Sequence, residues 1–170
     1  MILSVSEAQK RAGEVFPIAL EESLAPESYA RGTIRFASPV RLNGTYTFDG
    51  KSFHVVATAE VAYDAVCARC NKPFVESLSF PIDEHFVRDI AWEADQDVYP
   101  YTHEQLDLGK AFWDNLHLHL PLVSLCKPDC KGLCPVCGAD RNTEPCACQS
   151  EIGSGPFGAL QQLLNENKEV

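Results

Sequence analysis

The sequence predicts an α+β fold, mainly an antiparallel β meander or partial barrel with one packed helix, a C-terminal zinc-binding tail and a short terminal helix. Three observations carry this prediction. Alternating and β-branched segments dominate residues 31–88, an amphipathic helical pattern follows, and six of the eight cysteines then fall within 23 residues. A chain of 170 residues suits one domain with a small appendage.

The alternating segments predict a meander of four to six strands. Its main strands cover Gly32–Phe36, Arg41–Phe48, Phe53–Val66 and Pro73–Phe86. Asn43-Gly44 and Asp49-Gly50 are turn signals, and the second predicts a hairpin. The first 30 residues are weakly patterned. We expect a short strand at Ile2–Val5 and a helix near Ser6–Val15.

A loop and a helix are predicted after the strands. The segment Asp89–Glu104 is acidic and aromatic, which predicts a solvated connector. Asp107 is the expected N-cap of a helix over residues 107–119, where apolar residues recur at helical spacing. Pro121 ends this helix because proline cannot continue it.

The chain beyond residue 122 differs in composition from the part before it. Residues 1–122 form the predicted β-rich domain, and residues 123–150 form a Cys-rich module. Residues 151–170 begin with glycine and serine, and Pro156 can then start a short helix at Phe157–Asn165. The last segment is therefore predicted to be a linker with a terminal helix.

Every cysteine in the chain belongs to a close pair. The pairs are Cys67 with Cys70, Cys126 with Cys130, Cys134 with Cys137, and Cys146 with Cys148. A tight turn can aim two such thiolates at one zinc ion about 2.3 Å away, and two pairs complete a tetrahedral site. Four pairs therefore predict two zinc ions.

The spacing favours one grouping of these pairs but leaves others open. Cys134-Pro-Val-Cys137-Gly is typical of a zinc knuckle, because the glycine lets amide N–H groups turn towards the thiolates. The favoured grouping puts this pair with Cys146 and Cys148, and joins Cys67 and Cys70 to Cys126 and Cys130. The alternatives are one ion shared by Cys126, Cys130, Cys134 and Cys137, or a binuclear cluster of all six C-terminal cysteines.

Disulfides are the competing interpretation of these pairs. The first eleven residues contain no apolar segment of signal-peptide length. We therefore expect a cytoplasmic protein in a reducing compartment, where stable disulfides are rare. No apolar run approaches the roughly 18 residues of a membrane span, so no membrane partner is expected.

The overall charge constrains the partner. Fourteen basic and twenty-four acidic residues leave a net charge of −10, so a basic protein fits the whole surface better than RNA does. Acidic and basic residues balance in the Cys-rich tail. Its basic residues Lys127, Lys131 and Arg141 are therefore the candidate RNA contacts.

Nothing in the sequence predicts catalysis or a small-molecule substrate. Four thiolates leave zinc without an open coordination position, so such sites stabilise folds and do not activate water. The chain has no Gly-rich phosphate loop, zinc-protease helix motif or nucleophile elbow, and no cysteine stands outside a pair. We therefore expect a protein without catalytic residues.

The helix and the cysteine tail together carry a resemblance. The relevant residues are Asp114-Asn115-Leu116, Leu120-Pro121-Leu122, Leu125-Cys126, Cys130-Lys131-Gly132-Leu133-Cys134-Pro135-Val136-Cys137-Gly138, Cys146-Ala-Cys148 and the upstream Cys67-Ala-Arg-Cys70. This combination, over residues 60–165, resembles the YceD family, which is linked to accumulation of large-subunit ribosomal RNA in bacteria and plastids.

The resemblance implies a non-enzymatic ribosome-biogenesis factor. Its expected partner is a ribosomal RNA precursor or a basic large-subunit ribosomal protein. Two other function classes stay open at this point. One is a zinc-stabilised adaptor without a ribosomal role, and the other is a thiol redox or metal-buffering protein.

Overall fold

A computed structural model describes residues 1–29, 32–88, 98–144 and 146–148. Its strands and helices, in chain order, are β1 (Ile2–Ser4), α1 (Ser6–Lys10), β2 (Val15–Glu22), β3 (Glu27–Tyr29), β4 (Gly32–Ile34), β5 (Val40–Phe48), β6 (Ser52–Val66), β7 (Pro73–Arg88), β8 (Tyr99–Tyr101), β9 (Gln105–Asp107) and α2 (Gly109–His119). The described residues form two compact units. Unit 1 contains residues from Met1–Val66 and Pro73–Ser124, and unit 2 contains Cys67–Lys72 and the described residues from Leu125 onward.

Unit 1 is built on a five-stranded sheet with the strand order β2-β5-β6-β7-β8. The first three pairings in this order are antiparallel, which confirms the mainly antiparallel prediction, whereas β8 runs parallel to β7. Two short antiparallel pairs, β1 with β9 and β3 with β4, complete the strands. Among the described pairings none joins β2 to β8, so the partial-barrel alternative gains no support.

The long hairpin of β6 and β7 follows the predicted strands closely. Its register runs without a break from Ser52 opposite Val87 to Val66 opposite Pro73. The turn at Asp49-Gly50 connects β5 to β6, and Gly50 has φ +97°. Asp49 Oδ1 accepts hydrogen bonds of 2.7 Å from the backbone N–H groups of Lys51 and Ser52. These donors stabilise the carboxylate and lower the pKa of Asp49.

The prediction of a turn at Asn43-Gly44 is wrong. Both residues lie inside β5, where Gly44 is opposite Ile18 of β2 and Ala57 of β6. A Cβ on Gly44 would overlap the Val56 carbonyl oxygen and the Ala57 Cα. Glycine is required here because the neighbouring backbone approaches closely. A glycine in a strand pattern can therefore mark such a close approach instead of a turn.

The N-terminal 30 residues contain more strand than the pattern predicts. The helix expected near Ser6–Val15 ends at Lys10, and β2 begins at Val15. Phe16, Ile18 and Leu20 are buried or partly buried, but apolar residues also occupy the exposed positions between them. The first part of this strand therefore shows no alternation of polar and apolar residues in its sequence. Pro17 is tolerated because β2 is an edge strand of the sheet.

The core of unit 1 is a single cluster of aliphatic and aromatic side chains, which come mainly from the five-stranded sheet and α2 and also from α1, β4 and β9. The buried face of α2 contains Ala111, Phe112, Asn115 and Leu116, which match the predicted helical spacing. Phe112 packs against Phe80 of β7, with ring centroids 5.8 Å apart. The buried amide of Asn115 is satisfied, because it donates to Glu84 Oε1 and to the Ala111 carbonyl.

The start of α2 differs by one residue from the predicted cap. Leu108 occupies the N-cap position, but Asp107 Oδ1 accepts the N–H of Gly109 at 2.8 Å. The predicted loop Asp89–Glu104 is also partly wrong, because β8 lies within it. Residues 89–97 and the helix predicted at Phe157–Asn165 lie outside the described residues. None of the described helices has the length and apolar character needed to cross a membrane.

Candidate metal centres

Unit 2 brings the eight cysteines together in two groups of four. The first tetrad is Cys67, Cys70, Cys126 and Cys130; the second tetrad is Cys134, Cys137, Cys146 and Cys148. Within each tetrad the sulfur atoms all lie within 4.8 Å of one another. This is the grouping that the spacing favoured. The structure does not assemble the alternative group of Cys126, Cys130, Cys134 and Cys137.

The sulfur spacing in the first tetrad matches a tetrahedral zinc site. A zinc–sulfur bond of about 2.3 Å places the corners of a regular tetrahedron about 3.8 Å apart. The observed separations are 3.8 Å between Cys67 and Cys130 and 3.7 Å between Cys70 and Cys126. Both exceed the roughly 2.05 Å of a disulfide bond. The four sulfur atoms are therefore placed as the ligands of one metal ion would be.

The two tetrads differ in burial. In the first tetrad, Cys67, Cys70 and Cys130 are buried and Cys126 is partly buried. In the second, only Cys134 is buried, whereas Cys137 and Cys148 are exposed. Solvent and competing ligands can therefore reach the second tetrad more readily than the first.

Each tetrad is organised around the same backbone turn. At the second tetrad, the N–H of Gly138 donates to the Cys134 carbonyl at 2.9 Å, and the N–H of Cys134 donates to the Ala139 carbonyl at 2.8 Å. Gly138 has φ +73°, as the knuckle prediction requires.

The first tetrad repeats this turn in the loop between β6 and β7. The N–H of Asn71 donates to the Cys67 carbonyl at 2.8 Å, and the N–H of Cys67 donates to the Lys72 carbonyl at 2.9 Å. Asn71 has φ +58° and takes the place of the knuckle glycine. Asparagine tolerates this left-handed conformation better than most residues, so Cys-Ala-Arg-Cys-Asn is a second knuckle. The sequence signal was the asparagine that follows the second cysteine.

Backbone hydrogen bonds lower the pKa of one thiol in each tetrad. Hydrogen bonds from backbone groups, with that of Cys126 the largest contribution, lower the pKa of Cys67 to about 6. Backbone donors at Cys137 and Val136 likewise lower the pKa of Cys134 to about 6. Burial raises the pKa of Cys126 to about 12. A hydrogen bond between the side chains of Cys148 and Cys137 raises the pKa of Cys148 to about 11. One thiolate per tetrad forms readily, and a cation is needed to hold all four.

The side chain of Arg69 connects the two segments that carry the first tetrad. The Arg69 guanidinium donates to the carbonyl oxygens of Cys130 at 2.9 Å and Pro128 at 3.4 Å. Gly132, with φ +71°, passes so close to Arg69 that an added Cβ would lie 2.8 Å from its carbonyl oxygen. The loop that carries Cys67 and Cys70 is thereby tied to the segment that carries Cys126 and Cys130.

The three predicted RNA-contact residues are all exposed on unit 2. Lys127 forms a long ion pair with Asp129, at 3.8 Å. Lys131 and Arg141 lie on adjacent segments, because the N–H of Arg141 donates to the Gly132 carbonyl at 3.0 Å. The structure adds Arg69 and Lys72 to the basic residues of this unit. Sequence reasoning missed them because more than 50 residues separate them from the cysteine tail.

Comparison with known proteins relates this chain to one family. The family model described as large ribosomal RNA subunit accumulation protein YceD matches residues 55–164. The chain is 32% identical over 82 residues to a chloroplastic YceD homologue of Arabidopsis thaliana, and 40% identical over 63 residues to one of Zea mays. It is also 36% identical over 98 residues to an uncharacterised protein of Mycobacterium bovis.

These alignments are partial. They cover 46%, 36% and 54% of this chain, in the same order, and only 25%, 21% and 47% of the relatives. The chain thus spans less than half the length of the curated relatives that it matches. No solved structure matches it. The family model, however, covers well over half of the chain and includes both cysteine tetrads. The chain belongs to the YceD family of large ribosomal RNA subunit accumulation proteins.

Proposed function

We propose that this protein supports the accumulation of large-subunit ribosomal RNA as a zinc-stabilised factor without catalytic activity. The observation that carries the proposal is the family match over residues 55–164, which includes all eight paired cysteines. The named chloroplastic relatives are large ribosomal RNA subunit accumulation proteins. The cytoplasmic location and the absence of catalysis are parts of the same proposal.

Zinc is the metal that the donor set favours. Thiolates select soft or borderline ions, and a tetrahedral set of four sulfurs is typical of zinc or of iron–sulfur centres. The two knuckle turns suit a single ion per tetrad, and so do the separations of 3.7 and 3.8 Å in the first tetrad. Four protein ligands would leave zinc no open position, so its role would be structural.

The proposed function predicts a selective loss of one ribosomal RNA. In cells that lack the protein, large-subunit RNA should fall relative to small-subunit RNA, because the unprotected precursor is degraded. The intact chain should restore the ratio, whereas a chain with Cys134→Ser and Cys137→Ser should restore it less. Gel quantification of both RNAs checks this. An unchanged ratio in the depleted cells would refute the ribosomal role and leave the adaptor or metal-buffering interpretation.

We propose that unit 2 makes the contact with the RNA precursor. Its described residues contain five basic side chains, at Arg69, Lys72, Lys127, Lys131 and Arg141, against the acidic Asp129, Asp140 and Glu144. The described part of unit 1 is strongly acidic. A phosphate backbone would therefore be repelled by unit 1, whereas on unit 2 the exposed lysine and arginine side chains offer it local cationic contacts. A basic ribosomal protein would instead bind the acidic surface of unit 1.

Charge variants distinguish these partners. Changing Lys127, Lys131 and Arg141 to glutamine should weaken RNA binding. It should also reduce the salt dependence by about one unit of slope for each phosphate that the protein no longer binds. Changing Lys10, Arg35 and Lys51, which are exposed on unit 1, is the matched control because it removes the same charge. Equal effects of the two sets on RNA binding would argue against unit 2. Binding to a basic large-subunit protein should survive both sets.

A further inference from the structure

We propose that Asn142 couples the two metal centres, so that filling the second tetrad strengthens metal binding at the first. This inference rests on the proposed zinc sites and concerns how they act together. Asn142 lies between Cys137 and Cys146, in the segment that carries the second tetrad. Its side chain nevertheless contacts a sulfur of the first tetrad, since Nδ2 donates to Cys130 Sγ at 3.4 Å.

The neighbours of Asn142 fix the orientation of its amide. Oδ1 accepts the backbone N–H of Lys131 at 2.9 Å, so this atom must be the oxygen. Nδ2 donates to Asp140 Oδ1 at 2.7 Å as well as to Cys130 Sγ. A flipped amide would place its oxygen against a carboxylate and a thiolate, which are both acceptors. The N–H group is therefore held towards the sulfur.

Asp140 extends this contact to the loop of the first tetrad. Its Oδ1 accepts from the backbone and side chain of Asn142, and its Oδ2 lies 2.5 Å from Lys72 Nζ. Lys72 stands two residues after Cys70. The side chain of Asp140 is only 13% exposed, and among the described residues Oδ2 has no hydrogen-bond donor besides this ion pair. The chain of contacts from Lys72 through Asp140 and Asn142 thus ends on Cys130.

The backbone between the tetrads is held from both sides. Only Lys131, Gly132 and Leu133 separate Cys130 of the first tetrad from Cys134 of the second. The N–H of Leu133 donates to the Arg69 carbonyl at 3.0 Å, and the Gly132 carbonyl accepts from Arg141 at 3.0 Å. Asn142 lies between Cys137 and Cys146 in sequence, so a metal ion at the second tetrad would close the loop that carries it. Loss of that metal would free this loop and weaken the contact between the amide and Cys130.

The donor to Cys130 favours a bound thiolate. A hydrogen bond to a ligating atom reduces its charge and fixes its orientation, and losing such a partner typically weakens metal binding by about 10–100-fold. If the second centre controls this donor, then the affinities of the two centres are linked, and the linkage is reciprocal.

The test uses the full chain loaded with zinc and challenged with a chelator and a thiol-alkylating reagent. Mass spectrometry of the peptides reports each tetrad separately. Asn142→Ala should accelerate alkylation of Cys126 and Cys130 by about 10-fold relative to the wild type. Thr143→Ala is the matched control and should leave the rate unchanged, because Thr143 lies in the same turn but its hydroxyl donates to the Asp140 carbonyl and not to a sulfur.

A double-mutant cycle tests the route of the coupling. Emptying the second tetrad with Cys137→Ser and Cys148→Ser should accelerate alkylation of the first tetrad in the wild-type background. The same change should add little in the Asn142→Ala background, because the connecting donor is already absent. Equal acceleration in both backgrounds, or wild-type rates in Asn142→Ala, would overturn the coupling.

Two further outcomes are distinguishable from these. If Asn142→Ala exposes both tetrads from the start, Asn142→Leu decides, because leucine has nearly the shape of asparagine and adds no charge beside Asp140, but it has no N–H group to donate to Cys130. Wild-type rates at Cys126 and Cys130 in this variant would overturn the proposal. Equal alkylation of all eight cysteines in the wild type, with no zinc retained, would overturn the zinc sites and the coupling with them.

Discussion

Replacing Cys67 by serine should destabilise the whole protein, whereas replacing Cys134 should act within unit 2. Both thiols are buried members of a tetrad. Cys67, however, lies in the loop that closes the hairpin of β6 and β7, the longest strands of unit 1. Loss of the first metal would free this loop, so closure of the hairpin would lose its constraint as well as the metal-binding energy.

Thermal unfolding checks this prediction. The midpoint temperature of sheet unfolding, followed by circular dichroism, should fall on the order of 10 °C for Cys67→Ser. It should change by a few degrees at most for Cys134→Ser, because the second tetrad contains no residue of the hairpin loop. Alkylation of the remaining cysteines should show that each variant has lost its own tetrad. Equal midpoints for the wild type and both variants would mean that the cysteines are packed thiols without bound metal.

Gly44→Ala should strongly destabilise unit 1, although it adds only one methyl group. The added methyl group would overlap backbone atoms of Val56 and Ala57 in the adjacent strand. Backbone atoms of a central strand pair cannot move aside as a flexible side chain can. We expect a loss of about 2–4 kcal/mol in the free energy of unfolding, measured by urea denaturation.

Gly109→Ala is the control for Gly44→Ala. Gly109 begins α2, and an added Cβ would meet only the side chain of Asp107, at 3.0 Å. Alanine also favours helix more than glycine does, so the free energy of unfolding should change by less than about 1 kcal/mol. If Gly44→Ala is as mild as Gly109→Ala, β5 does not approach β6 as closely as the Gly44 position requires.

The sequence predicted those elements whose hydrophobic period is regular. In β6, buried residues from Phe53 to Val61 alternate with exposed or half-buried ones, and α2 places Ala111, Phe112 and Leu116 on one face. Strand β2 lacks such a period because its exposed Val15, Pro17 and Ala19 are also apolar, and β8 has only three residues. Local patterns cannot reveal strands of these two kinds, since tertiary pairing decides them.

The tetrads were easier to predict than the residues around them. Thiol pairs are short-range signals, so their spacing alone favours the grouping that the structure shows. Asn142, Asp140 and Lys72 carry no such signal, because their contacts depend on how the loop at Cys67–Lys72 meets the tail. The knuckle at Asn71 lies between these cases. Its spacing was visible, but its similarity to the glycine knuckle required the observed φ of +58°.

The zinc content of the purified chain is the decisive measurement for the two metal centres. Mass spectrometry under native conditions should find two zinc ions per chain, one for each tetrad. Acid should release both with uptake of protons, because every thiolate must be protonated when the metal leaves. A chain that binds one zinc ion, with Cys67 and Cys70 freely alkylated, would remove the first centre. A folded chain without zinc would contradict the proposal that metal stabilises this fold.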